Sequence, residues 1–290
     1  MESYLTFDQV RKAVIVYVQN KIKKGDLDIP VLPHVAQKVL NLVNNPDASV
    51  KDIQTIIEKD QHLSARLLRI ANSPVYAGTV QITSIQRAVV TVGFRSLKEL
   101  VFAIAMGEKV FRSKLFGEAM NRVWEHALAT AVVARELAKV KGLDGEYGFM
   151  CGLLHDIGKA QLLNIMEEMN RKYKDRLYFT DPLVDEILKD FHPQVGSMMA
   201  GSWKFPAMLR GAIRYHHEYT ENEKYMQMAL LTNVADLFAR KFGATSFAND
   251  AAINLLNEKA LYDLNLYPEE IDKLIKTLPA QVRSSISQFS

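Results

Sequence analysis

Apolar residues recur at helical spacing along almost the whole chain, in short runs closed by glycine, proline or small polar residues, and the alternation of a half-buried strand is nearly absent. Phe7 to Lys24 places Val10, Val14, Tyr17 and Val18 on one face, with Arg11, Lys12, Lys21, Lys23 and Lys24 outside it, and Gly25 stops the run. Its basic end complements a helix dipole and reads as a solvated face. Pro33-His34 opens a helix through Val35, Val39, Leu42 and Val43, closed by Asn44-Asn45-Pro46-Asp47 because a residue before proline avoids the helical region. Ser49 and Asp52 form a capping box, and Asp60 caps a helix carrying Leu63, Leu67, Leu68 and Ile70 that stops at Asn72-Ser73-Pro74. Gln81–Ser84 is the one short segment readable as extended.

Beyond it, Ala88, Val89 and Val92 restore the helical period up to Gly93, and Ser96 with Glu99 reads as a capping box for a helix apolar almost all round, hence central. A polar stretch from Ser113 to Glu118 marks a boundary. A long helix then carries Met120, Val123, Trp124, Ala127, Leu128, Ala131 and Leu137 to Gly142. Asp144 precedes the helix bearing Met150, Cys151, Leu154 and the pair His155-Asp156; Asp181-Pro182 starts a helix to Phe191; His192-Pro193 restarts the pattern. Pro206 opens a helix to His216, Met228 to Phe238 makes another that ends at Gly243, and a last helix follows Pro268. The fold class is all-α.

At 290 residues with 48% hydrophobic residues the chain can bury a sizeable core, which excludes disorder. A net charge of +3 spread among nearly balanced acids and bases implies no polyanion partner, and the helix pair around Asp60 lacks a basic recognition helix, so DNA is not an expected ligand. The lone cysteine, Cys151, excludes a disulfide framework within one chain and reads as a small buried residue in a reducing compartment. Neither a signal-peptide pattern at Met1–Leu5 nor a membrane-length apolar run occurs, and the expected location is cytoplasmic, without membrane contact.

Five of the seven histidines fall between His126 and His217. His155-Asp156 follows an apolar run and precedes Ile157-Gly158-Lys159, where Gly158 can end or bend a helix and Lys159 could meet an anion. His126, His155, Asp156 and Asp236 come from different helices, and bundles build metal sites by such convergence. His192, His216 and His217 could complete a second metal position. A mixed nitrogen and oxygen shell without thiolates suits one or two divalent ions, Fe, Mn or Zn, or Co, in preference to Ca. His34 and His62 lie outside the cluster, as helix-terminal residues. Glu125, beside His126, points about 100° away and is not expected to share a ligand shell.

His126, then His155-Asp156-Ile157-Gly158-Lys159, then Asp236 within Val234-Ala235-Asp236-Leu237-Phe238-Ala239 resemble the ordered motif of the HD superfamily of metal-dependent phosphohydrolases. Leu32-Pro33, Asn45-Pro46-Asp47, the run from Leu63 to Ser73 and the run from Val92 to Leu97 more closely resemble the HDOD family of bacterial signalling proteins, over residues 28–240. That resemblance implies an N-terminal helical lobe, 28–112, packed on an HD-like lobe, 113–240, preceded by a helix in 1–27 and followed by an extension, 241–290. His192-Pro193-Gln194-Val195-Gly196 and His216-His217-Glu218 are similar to HD-GYP phosphodiesterases, but Tyr219 to Tyr225 replaces their Gly-Tyr-Pro signature, which argues against cyclic di-GMP as a substrate.

Two functions follow from the resemblance. The first is a signal-transduction module with a retained metal site, acting through signalling protein partners or by sensing a nucleotide or other phosphoester. The second is a metal-dependent phosphohydrolase. There Asp156 would bridge two ions, His126, His155 and Asp236 would hold the first, His192, His216 and His217 the second, and Lys159 would steady a phosphoryl oxygen.

Overall fold

A computed structural model describes residues 6–43, 45, 47–73, 81–173, 177–247 and 253–289, and among these every regular element is helical. Local chemistry sets the boundaries. Thr6 donates its N–H to Gln9 Oε1 at 2.9 Å and accepts from the Gln9 N–H at 3.4 Å, which starts α1 (Phe7–Lys24); Gly25, at φ 67°, ends it. α2 is His34–Val43, α3 Val50–Glu58 and α4 Gln61–Ala71. Asp52 accepts the Ser49 N–H at 2.8 Å ahead of α3, and Asp60 accepts the Leu63 N–H at 3.0 Å at the head of α4. The expected stops at Asn44, Pro46 and Pro74 lie outside the described residues.

Gln81–Ser84 forms no regular element; Ser84, with extended φ −130° and ψ 151°, is the N-cap of α5 (Ile85–Val92), its hydroxyl accepting from Arg87 N–H at 3.2 Å. Nor does Ser96 cap a helix. α6 (Phe94–Lys109) is capped three residues earlier by Gly93, whose φ of 85° lets one residue end α5 and begin α6. Every residue of α6 from Leu97 to Met106 is buried, so the helix is central as its composition requires.

α6 joins the first lobe to the second. α2, α3, α4 and α5 pack around one side of it, while α8 (Gly145–Leu154) meets the other. Two ion pairs fix that junction, Lys98 with Glu146 at 2.6 Å and Glu99 with Arg135 at 2.8 Å. Burial pushes the Glu99 carboxyl up although Arg135 pulls it down.

In the second lobe α7 (Gly117–Val140) lies against α8 and α12 (Met226–Lys241), and α9 (Ile157–Lys172) against α10 (Asp181–Ser202), which in turn meets α11 (Ala207–Tyr215). α10 runs unbroken through His192-Pro193, with Thr180 rather than Asp181 at its cap. α13 (Lys259–Asp263) packs on α12, and α14 (Pro268–Phe289) on α7. Lys21 departs from the reading of a wholly solvated basic face: it is 7% exposed and pairs with Glu168 of α9 at 2.9 Å and with Asp28. Arg11 pairs with Glu186, so α1 is strapped across α9 and α10.

Two crossings are too tight for any side chain. A Cβ on Gly152 of α8 would lie 2.6 Å from the Thr130 carbonyl of α7, and one on Gly158 of α9 would lie 2.1 Å from the His192 carbonyl and 2.6 Å from the Gly196 nitrogen. These contacts draw the histidine-bearing backbones together. Gly158 thus neither ends nor bends a helix; it permits α9 and α10 to touch.

Candidate metal centre

The His155-Asp156 pair occupies the joint between α8 and α9, His155 as the cap that ends one and Asp156 as the residue that begins the other. α7 brings His126, α10 brings His192, the end of α11 brings His216 and His217, and α12 brings Asp236. All seven sequence-predicted ligands therefore gather in one place. His126, His155, Asp156 and His192, with His216, are at most 1% exposed, Asp236 is 5% exposed, and His217 forms the exposed edge.

Hydrogen bonds at the far side of each ring fix its tautomer. Nδ1 of His126 faces the Ala244 carbonyl at 3.0 Å, that of His155 the Gly152 carbonyl at 2.7 Å, that of His192 the Leu188 carbonyl at 2.7 Å, and that of His216 the Ile213 carbonyl at 2.9 Å. A carbonyl only accepts, so each Nδ1 carries the proton, and a ring that is neutral turns a bare Nε2 inward. The Nε2 atoms converge: His126 on His155 at 3.2 Å, His192 on His216 at 3.2 Å and on His217 at 3.1 Å. Asp156 lies between the two groups. Its Oδ2 is 3.4 Å from His126 Nε2 and 3.3 Å from His155 Nε2, while Oδ1 is 3.2 Å from His192 Nε2 and 3.8 Å from His216 Nε2. Asp236 Oδ1 sits 3.0 Å from His126 Nε2.

Lone pairs held this close in a buried site repel one another unless a cation lies among them. Oδ1 of Asp156 is buried and accepts no hydrogen bond among the described residues, a costly state for a carboxylate oxygen. Two ligand atoms each about 2.0–2.1 Å from a shared ion at tetrahedral or octahedral angles stand about 2.8–3.4 Å apart, and every separation given above except His216 to Asp156 falls in that range. The donor set therefore fits a divalent metal. His126, His155 and Asp156, with Asp236, form one candidate position; His192, His216 and His217 form the other, and Asp156 can bridge them.

Protonation follows the same division. Burial pulls His155 down, but the charge and hydrogen bond of Asp156 outweigh it and raise the ring above its ordinary value. Burial, then Lys159, holds His192 well below the imidazole range, and burial with the neighbouring histidines does the same to His216. These two rings stay neutral, as ligands must. Burial opposes the charge of Asp156, yet His155, Lys159 and His192 bring its carboxyl well below the usual range.

Lys159 is 2% exposed and already engaged. Its ammonium is 2.5 Å from Asp156 Oδ2 and 2.8 Å from the Ser246 hydroxyl, and stands 4.1 Å over the Phe247 ring. Ala244, Ser246 and Phe247, in the connection after α12, close this side of the centre. Asn233 adds a hydrogen bond from its amide to the His216 carbonyl at 2.8 Å. None of these four was singled out from the sequence, since a backbone carbonyl, a hydroxyl, a ring and an amide carry no spacing pattern. His34 is exposed and His62 pairs with Glu108 at 3.3 Å, both away from the centre. Cys151 is buried, and burial pushes its thiol up.

Comparison with known proteins gives one family: the model of the HDOD domain matches residues 29–219. An uncharacterized protein of Treponema pallidum is 29% identical over 196 residues, which cover 66% of this chain and 38% of that protein. Ribonuclease Y of Mycoplasma genitalium is 30% identical over 127 residues, 43% of this chain and 21% of that enzyme. The chain thus spans well under half the length of these curated relatives. A crystal structure from Shewanella amazonensis, described as a candidate metal-dependent phosphohydrolase, superposes with a TM-score of 0.71 at 22% identity, covering 97% of this chain and 99% of that one. That likeness is one of fold.

Proposed function

We propose, from the premise that this chain belongs to the HDOD domain family, that it is a regulatory module of bacterial signal transduction whose His/Asp centre holds divalent metal, with output through protein contact or ligand sensing. The observation that carries this reading is how fully the centre is occupied by the chain itself. Five of its seven side chains are at most 1% exposed, and Lys159, the cation best placed to meet a phosphate, is committed to Asp156, Ser246 and the Phe247 ring. Freeing it would cost a buried ion pair. The segment after His217 is also tied down: the Tyr219 hydroxyl donates to Asp263 at 2.6 Å, and Tyr225 stacks on Tyr215 with ring centroids 6.2 Å apart.

In this reading His126, His155, Asp156 and Asp236 hold one ion, and His192, His216 and His217 hold a second. Metal held there would tie α7, the joint between α8 and α9, α10, α11 and α12 together at their point of convergence. The test is turnover: protein loaded with Mn(II), Fe(II) or Zn(II) is assayed against mononucleotides, cyclic dinucleotides, single-stranded RNA and a generic phosphodiester. No metal-dependent hydrolysis above that of His155→Ala is expected. Robust turnover that His155→Ala abolishes would refute the reading.

Two observations favour a second reading, a metal-dependent phosphohydrolase. All seven ligand positions are filled, and His217 presents an open edge through which a phosphoester could reach the centre. Metal there would supply charge neutralisation and Lewis acidity. Asp156 would orient both halves, and Lys159, released from Ser246, would hold a phosphoryl oxygen. Similarity to Ribonuclease Y makes the RNA phosphodiester the first substrate to try.

A further inference from the structure

We infer that the cavity between the α6–α7 connection, the start of α7 and the second half of α9 binds a nucleoside phosphate, at a site separate from the metal centre. This rests on the regulatory reading and specifies where its ligand is sensed. The cavity encloses about 700 Å³, within the range of small-molecule sites. Arg112, Lys114 and Arg171 line it against a single carboxylate, Glu167. That carboxylate faces the connection itself, accepting from the Ser113 hydroxyl at 2.5 Å and the Lys114 N–H at 3.1 Å. Arg112 and the Lys114 ammonium have no ion-pair partner within 4 Å among the described residues.

Arg112, Lys114 and Arg171 are exposed along one rim of the cavity, and guanidinium and ammonium groups are the donors that phosphate oxygens take. The remaining chemistry suits a planar, hydrogen-bonding ring. Phe111 and Met120 give an apolar floor, and the amides of Asn121 and Asn164 face the cavity with no hydrogen-bond partner among the described residues. An amide offers both donors and an acceptor, as reading the edge of a base requires. Phe111, Arg112 and Asn121 also border an adjoining cavity of about 390 Å³ containing Arg69 and the Trp124 ring, which extends the same groove.

The position couples the site to the centre. On α7, Asn121 lies five residues before His126, and on α9, Asn164 lies five residues after Lys159, each about 7.5 Å along the helix axis. A ligand drawing the α6–α7 connection onto α9 therefore acts on the two helices that present His126 and Asp156.

Isothermal titration of the full chain with ADP, GDP and inorganic phosphate tests the assignment. A nucleoside diphosphate is expected to bind more tightly than phosphate. Arg112→Ala/Lys114→Ala, both at exposed positions, should weaken it by at least about tenfold, and Asp156→Ala, which acts only through the coupled helices, should weaken it less. Asn121→Ala/Asn164→Ala should reduce the nucleotide's advantage over phosphate. Circular dichroism of each variant verifies the helical fold. Failure of both nucleotides to bind, phosphate binding as tightly as nucleotide, or loss in Asp156→Ala with retention in the Arg112/Lys114 variant each overturns the proposal. Phosphoester turnover at the metal centre would remove the regulatory reading without altering these affinities.

Discussion

Asp156 contributes one oxygen to each half of the centre, and its unpartnered Oδ1 is the residue-scale sign that a cation belongs there. Asp156→Asn keeps the shape but removes the charge that both histidine groups face. It is expected to lower metal content by at least about tenfold, read by elemental analysis after dialysis. Gly158→Ala acts by a different route. Its methyl group must displace the His192 carbonyl, so α9 and α10 separate and Asp156 moves from His192. Overpacking of this kind costs about 1–3 kcal/mol, measurable as a lower urea midpoint, and the variant should retain less metal. The converging residues were legible because histidine and aspartate on apolar helical stripes are conspicuous. The glycine was misread as a helix end because a helix crossing is set by a partner 34 residues away. Ser246 and Ala244 were not legible at all, since what they offer is a hydroxyl and a carbonyl.

Helices were legible where caps and periodicity agreed, as in α1, whose Thr6 cap and Gly25 stop bound the run read from its apolar stripe. They were misread where tertiary packing overrode a local signal. Pro193 reads as a break, yet α10 continues through it between α9 and α11. Ser96 and Glu99 have capping-box spacing, but Gly93 begins α6 and Glu99 instead pairs with Arg135. The strap made by α1 gives a pH-dependent prediction. Burial opposes the Glu168 charge, but hydrogen bonds from Lys172, Lys21 and Tyr17 bring its carboxyl from 4.5 to about 2. A carboxyl depressed in the folded state contributes stability above its unfolded value and loses it as pH falls from about 4.5 towards 2. Glu168→Gln should therefore melt below wild type at pH 7, with the difference shrinking through that window. Because Glu168 is 25% exposed, solvent screening keeps the difference to a few degrees, about 1 kcal/mol or less. A difference that grows on acidification would contradict the assignment.

At the scale of the molecule, four helices of the second lobe, α7, α10, α11 and α12, and the joint between α8 and α9 meet at one buried cluster, so metal should act as a tertiary crosslink. An ion bound at 100 times its Kd stabilises the folded state by about 2.7 kcal/mol. Chelation should lower the melting temperature of wild type by several degrees and leave His155→Ala/Asp156→Ala unmoved. Among the described residues the helical class was legible, and so was the set of histidines and aspartates that converge; how the connection after α12 closes over Lys159 was not, because that closure joins residues 87 apart. The most direct test of the central claim is elemental analysis of protein purified without oxygen or chelator, beside His155→Ala/Asp156→Ala. One to two equivalents of Fe, Mn or Zn per chain, absent from the variant, is the predicted result. Wild-type protein free of metal, and still empty after anaerobic reconstitution, would contradict it.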